Sequence, residues 1–211
     1  MTDKLDNLRE AKRLDFMIAM YNQLMNDINR HIVVVWQSVT VLVGAFAAWS
    51  LIEKEVISLS VAATLIIGIS IWVVAHVYDA AYWYNRNLVI IANIERQFLR
   101  QSDLKEIHYY FGKHRSTNSM LTHLRLQRAL AVGVAVLVFL VHFSSDFWPK
   151  PFWALELENY LPIAAMTFGA IVWVRSSERA KQRYKEFLEN SPGKEVDVSG
   201  IRFGIGHPTD S

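Results

Sequence analysis

Residues 32–78 read IVVVWQSVTVLVGAFAAWSLIEKEVISLSVAATLIIGISIWVVAHVY, and their reading decides the fold. Ile32 to Ile52 is a run of 21 residues and Val56 to Tyr78 a run of 23, both without a formal charge, parted only by Glu53, Lys54 and Glu55. A helix rises about 1.5 Å per residue, so either run covers the roughly 30 Å of a bilayer's hydrocarbon core. In hydrocarbon the backbone N–H and C=O groups must be satisfied within the segment, so such runs are helices. With three residues to turn in, they predict a tight hairpin of membrane-spanning helices.

Two shorter runs follow. Ala129 to Ser145 has 17 residues and Asn159 to Val174 has 16, and Phe147, Trp148, Phe152 and Trp153 between them supply the aromatic belt expected where helices meet the interface. They predict a second hairpin. The apolar residues, 52% of a chain of 211, are thus gathered into blocks and not scattered as in a soluble core. The expected fold class is all-α: an integral membrane protein of four transmembrane helices in two hairpins, with extended cytoplasmic helices. Its segments are 1–31, 32–78, 79–128, 129–174 and 175–211.

Charge gives an independent test. Of 22 Lys and Arg residues, 20 fall in segments 1–31, 79–128 and 175–211, leaving Lys54 and Lys150 alone in the two connections. Cytoplasmic segments hold the excess of positive residues, so both termini and 79–128 are expected in the cytoplasm and both hairpins dip outward. The same segments carry 15 acidic residues, so no polybasic patch exists and direct nucleic-acid binding is not expected. The chain has no cysteine, which excludes disulfides, thiolate metal sites and a cysteine nucleophile. The first apolar run follows 31 largely hydrophilic residues and leads straight into a second one, so it is expected to stay in the membrane and not to be cleaved as a signal.

Before the first span, Leu14, Met17, Ile18, Tyr21, Leu24, Met25 and Ile28 form the stripe of an amphipathic helix. No Pro or Gly separates it from the span, so one continuous helix is expected. The stripe is expected to pack on the protein's other cytoplasmic helices or to bind a partner protein, with lying on the lipid surface as the alternative, which its mixed rather than cationic polar face disfavours. Val56 to Arg100 is expected to be one helix of roughly 67 Å. Asp103 with Glu106 reads as a capping box opening a short helix that Gly112 closes, and Thr117 or Ser119 restarts a helix leading into span three. Span four is expected to continue past Arg175 until Ser191, Pro192 and Gly193 stop it, and Val196 to Phe203, which alternates weakly, is read either as a short extended segment or as part of a disordered tail.

The polar residues after span two, HVYDAAYWYNRNLVIIANIERQF at 76–98, resemble an active site but are read as the place where a helix leaves lipid among interfacial aromatics. Their functional alternative is an interface or gate network of His76, Tyr78, Asp79, Arg86 and Glu95, with His142 as a second histidine near a span end. His108, His114 and His123 lack zinc-ligand spacing, no phosphate-binding glycine loop or nucleophile elbow is present, and "GIRFGIGH" lacks the context of a nucleotide fingerprint. No catalytic residue, cofactor or metal is expected, and the chain is read as not an enzyme. Small residues four apart, Gly44 with Ala48, Ala129 with Gly133, Ala131 with Ala135 and Ala165 with Gly169, mark close helix packing within the bundle or between copies in a homo-oligomer. A pore would be lined by Gln37, Ser38, Thr40, Thr64 and Ser70. A transporter is disfavoured, since no Asp, Glu, Lys or Arg lies deep and Pro162 is the only proline in the spans.

An amphipathic helix ending in NDINRHIVVVWQ, a close membrane hairpin, and then YDAAYWYNRNLVIIANIE leading into cytoplasmic helices resembles the SLATT-like small bacterial membrane proteins, several of which are anti-phage effectors. The resemblance covers Leu14 to Arg100 and rests on layout; this chain adds a second hairpin. It implies oligomerisation in the inner membrane, with pore formation or membrane disruption triggered through the cytoplasmic part, and carries over no catalytic residue. The expectation is an oligomeric inner-membrane effector or sensor. The alternative is a non-conducting anchor that recruits a soluble cytoplasmic protein, and a small channel or transporter is third.

Overall fold

The computed structural model describes residues 2–45, 47, 49–100, 103 and 117–192. Among these there is no strand, and the α-helices are α1 (Thr2–Ala45), α2 (Trp49–Glu53), α3 (Leu59–Phe98), α4 (Thr122–His142) and α5 (Leu161–Glu189). Four helical stretches, Leu8–Glu53, Leu59–Phe98, Thr122–Phe147 and Leu157–Glu189, are long and apolar enough to cross a membrane. By length and composition these four stretches are consistent with a multi-pass membrane protein. The amphipathic stripe and the first span as far as Ala45 share one helix, α1, while the end of the expected span lies in the separate α2 (Trp49–Glu53); α5 runs past Arg175 to Glu189. Pro162 lies in α5's first turn, where its missing N–H costs nothing.

The hairpin turn has an identifiable geometry. Glu55 donates its N–H to the Ile52 carbonyl and Val56 donates to the Leu51 carbonyl, both at 2.9 Å, and Glu55 has φ 54°. This is a Schellman motif with Glu in the left-handed position usually given to glycine, and it satisfies the last carbonyls of α2. Two residues, Val56 and Ile57, then lead to Ser58, which caps α3, its Oγ accepting the Val61 N–H at 3.2 Å. For that reason α3 starts at Leu59, and the helix expected from Val56 is shorter, about 60 Å over 40 residues.

Two other boundaries differ from expectation. α4 does not restart at Thr117 or Ser119 but at Thr122, behind an extended Leu121 with no side-chain cap. Met120 and Leu121 instead pack against a buried apolar cluster, so tertiary burial overrides the local cap signals. At the far end, α4 passes into a π-turn over Phe143–Phe147, where Trp148 donates to the Phe143 carbonyl at 2.7 Å. Glu106, Gly112 and Val196 to Phe203 lie outside the described residues; the Asp103 carboxylate accepts the Arg100 N–H at 2.7 Å.

The chain groups into two units built from discontinuous segments, and α1, α3 and α5 contribute residues to both. One unit comprises 31–82 and 118–183. Here α3 is the central helix: 50% of its apolar window is buried, against 17, 22 and 11% for the corresponding windows of the other three stretches. Its Val73, Val74, Val77, Ala80 and Ala81 pack with Leu42 of α1, Leu124 and Ala131 of α4 and Ala180 of α5, while Ala63 and Ile66 pack with Val138. The outer faces of α4 and α5 expose Leu126, Leu130, Leu137, Leu140, Phe168, Ile171 and Val174, which suits hydrocarbon and not water. The other unit comprises 1–30, 83–117 and 184–211. Its buried residues include Met17, Leu24 and Ile28 of the stripe, Leu88, Ile91 and Ile94 of α3 and Tyr184 of α5.

Candidate functional site

The densest polar constellation lies at the start of α3, the end of α4 and the approach to α5. Asp146, aimed by the π-turn, accepts hydrogen bonds from the Ser60 hydroxyl at 2.9 Å and the Asn159 amide at 2.8 Å, and it pairs with Lys150. Asn159 also donates to Ser60 Oγ at 3.2 Å and accepts the Glu156 N–H at 2.9 Å, the latter within a capping box. His142 is fully buried. Its Nε2 faces the Asn159 carbonyl at 3.1 Å, and since a carbonyl only accepts, Nε2 carries the proton and donates. Nδ1 has no hydrogen-bond partner among the described residues and lies 3.9 Å from Asp146 Oδ2. Outside this knot, Ser58 donates to Glu158 at 3.2 Å. Chemically the arrangement is a clasp. The donors on Asp146 are Ser60 at the start of α3, Lys150 in the connection and Asn159 before α5.

Sequence reasoning singled out His142 alone of this cluster. Ser60, Asp146 and Asn159 sit at the ends of three apolar runs, which is the one signal that would have grouped them at a common level.

The other expected residues are spread along α3. His76 stacks on Trp72, with ring centroids 5.4 Å apart and planes 7° apart, and its Nε2 is enclosed without a hydrogen-bond partner among the described residues. It lies about 24 Å along α3 from Ser60, to which the His142 cluster is bonded, so the two histidines are not a pair. Tyr78 is buried and its hydroxyl accepts from Arg128 at 3.0 Å. Asp79 accepts from Arg183 at 3.2 Å on an exposed face, where an ion pair contributes little. Arg183 also lies 4.2 Å over the Tyr82 ring. Arg86 stacks on Trp83 at 5.0 Å and Phe187 at 5.7 Å. Asp79, Arg86 and Glu95 therefore have separate partners.

Glu95 accepts the Tyr21 hydroxyl at 3.2 Å, joining α1 to α3. A 40-residue helix is about twice the hydrocarbon thickness, so the charged half of α3 that holds Glu95 lies outside the apolar span ending at Tyr78. Burial raises the Glu95 carboxyl above its ordinary range, partly offset by the Tyr21 bond, and burial with the Glu95 charge raises the Tyr21 phenol. A carboxyl raised on folding contributes its full stability below the unfolded value and loses it as pH rises through the folded one. Glu95→Gln is therefore expected to melt with the parent near pH 4 but a few degrees above it near pH 8. A lower melting temperature near pH 8 would mean that the Tyr21 bond to the carboxylate outweighs burial.

The small residues divide. Ala131 and Ala135 are buried, whereas Ala129 and Gly133 face outward and a Cβ on Gly44 or Gly133 would meet nothing within 4 Å. Ala165 is half-buried, and a Cβ on Gly169 would come within 2.8 Å of Ile71. Ala48 lies outside the described residues. Of the expected pore-lining groups, the Thr40, Thr64 and Ser70 hydroxyls donate to carbonyls one turn back on their own helices, Ser38 is buried and Gln37 is exposed. In the stripe, Leu14 and Ile18 are exposed and Tyr21 and Met25 half-buried. His123 is half-buried, and His108 and His114 lie outside the described residues. No group of three or more potential metal ligands occurs among the described residues. No protein-family model, curated protein or solved structure matches the chain.

Proposed function

We propose that this chain is an oligomeric effector or sensor of the bacterial inner membrane, with both termini and segment 79–128 in the cytoplasm. The observation that carries the reading is the division of the chain: four apolar helices long enough to span, with 20 of 22 Lys and Arg residues in the segments that fall on one side. Self-association is supported by α4, whose exposed Leu126, Leu130, Leu137 and Leu140 share a face with the open Gly133. The cytoplasmic helices receive the signal and the spans answer by repacking, disturbing the membrane. The role in anti-phage defence is implied by the SLATT-like layout alone.

A second reading has its own observation. Met17, Ile18, Tyr21, Ile94 and Phe98 line an apolar groove, with Ile18 and Phe98 exposed, which favours an anchor that holds a soluble protein. The mass of the complex in lipid nanodiscs drawn from cells, with co-purifying proteins identified, separates the two. Several copies that release dye from vesicles when activated are the expected result; a monomer with a stoichiometric soluble protein overturns it in favour of the anchor.

A further inference from the structure

Two half-open cavities of opposite character lie against α3, α4 and α5, one helical turn apart. The first, about 230 Å³, is lined by Tyr78, Asn118, Met120, Arg125, Arg128, Ser177 and Lys181. It has three cations and no carboxylate in its wall, and neither Arg125 nor Lys181 has an ion-pair partner among the described residues. Uncompensated like charges repel, so such a wall stands ready for an anion. Arg128 is already oriented: it donates to the Tyr78 hydroxyl at 3.0 Å, and its guanidinium lies 5.7 Å from the Tyr78 ring and 5.8 Å from the Trp173 ring. One of its five N–H groups is used in that bond, which leaves donors in the planar fork that matches a phosphate.

The second cavity, about 240 Å³, is apolar and is lined among others by Val74, Val132, Ala135, Gly169, Ala170 and Trp173. Each helix serves both cavities with residues four apart on one face: Val74 and Tyr78 on α3, Arg128 and Val132 on α4, Trp173 and Ser177 on α5. Trp173 belongs to the apolar wall while its ring carries the Arg128 guanidinium. The pair of cavities is a head-and-tail receptacle. A free phosphate or a soluble phosphorylated metabolite would use the cationic half and leave the apolar half empty.

We propose that this is a binding site for one anionic phospholipid, its phosphate on Arg125, Arg128 and Lys181 and a stretch of acyl chain in the apolar cavity. The assignment rests on the membrane reading above only for the ligand's source, since the cationic end then lies at the cytoplasmic interface where anionic headgroups are available.

The test is native mass spectrometry of the full-length protein, delipidated in neutral detergent and titrated with phosphatidylglycerol, with diacylglycerol of the same chains, and with inorganic phosphate. One phosphatidylglycerol is expected to bind, with neither diacylglycerol nor excess phosphate displacing it. Lys181→Gln, an exposed position, and Arg128→Ala are each expected to weaken it about tenfold, the effect of one charge-assisted contact. Ala170→Phe, which fills the apolar half, is expected to abolish it without lowering the melting temperature. Displacement by inorganic phosphate, or full affinity in Ala170→Phe, overturns the lipid assignment in favour of a soluble phosphorylated ligand. Equal binding by all variants overturns the site. Whether the chain resists alkaline extraction from membranes is read separately, so a failed membrane reading and a failed lipid site give different results.

Discussion

Asn159→Ala is expected to destabilise the protein by about 2–4 kcal/mol, a larger loss than any other single change in the clasp except removal of Asp146. The side chain makes three hydrogen bonds that no neighbour can replace: to Asp146 Oδ2 at 2.8 Å, to Ser60 Oγ at 3.2 Å, and from the Glu156 N–H at 2.9 Å. Alanine leaves a part-buried carboxylate short of a donor and an N–H without its acceptor, and each orphaned polar group costs about 1–3 kcal/mol. Ser60→Ala, which removes one donor to Asp146, is expected to cost about 1 kcal/mol. Asn159→Asp should be no milder than the alanine change near neutral pH, because it sets a second carboxylate against Asp146. Denaturation of the reconstituted protein, followed by tryptophan fluorescence, ranks the three. If Asn159→Ala unfolds with the parent, water replaces the amide and the clasp contributes no stability.

That clasp also shows where a sequence stops being legible. The hairpin at 32–78 could be read because its signal is local: two uncharged runs and three residues between them. The continuity of α1 and the reach of α5 beyond Arg175 could be read for the same reason, since both rest on periodicity and on the absence of Pro and Gly. The bond from Ser60 to Asp146 spans 86 positions and that from Asn159 to Ser60 spans 99, so no window of sequence contains them. The start of α4 differs for a related reason: Thr117 and Ser119 are good caps, but packing of the partly buried Met120 and Leu121 against the apolar cluster shared by the helices outweighs a cap's roughly 1 kcal/mol. Among the residues after span two, chemistry was legible but pairing was not. Asp79, Arg86 and Glu95 are neighbours along the chain, yet their partners come from other helices or, for Arg86, partly from an adjacent aromatic.

Gly169→Val is expected to cost about 1–3 kcal/mol, and Gly133→Ala nothing or a slight gain. The two glycines look alike in sequence, each four residues from an alanine in a span. In the structure they differ: a Cβ at Gly169 would stand 2.8 Å from Ile71 Cγ1 and 2.9 Å from Cδ1, whereas one at Gly133 meets nothing within 4 Å. Alanine at 169 can be met by a rotamer change of Ile71, but a branched side chain forces α5 away from α3, and overpacking of that kind costs about 1–3 kcal/mol. Gly133→Ala fills open space and removes the entropy of glycine in the unfolded chain, worth up to about 1 kcal/mol. Combining Gly169→Val with Ile71→Ala should recover part of the loss, because the clash partner is gone. The same substitutions examine self-association, since Gly133 lies on the exposed leucine face. If Gly133→Ala leaves the melting temperature unchanged but lowers the number of copies in a nanodisc, that face is where copies meet; if copy number is unchanged and falls only with Gly169→Val, copies meet elsewhere and small residues serve packing within the chain.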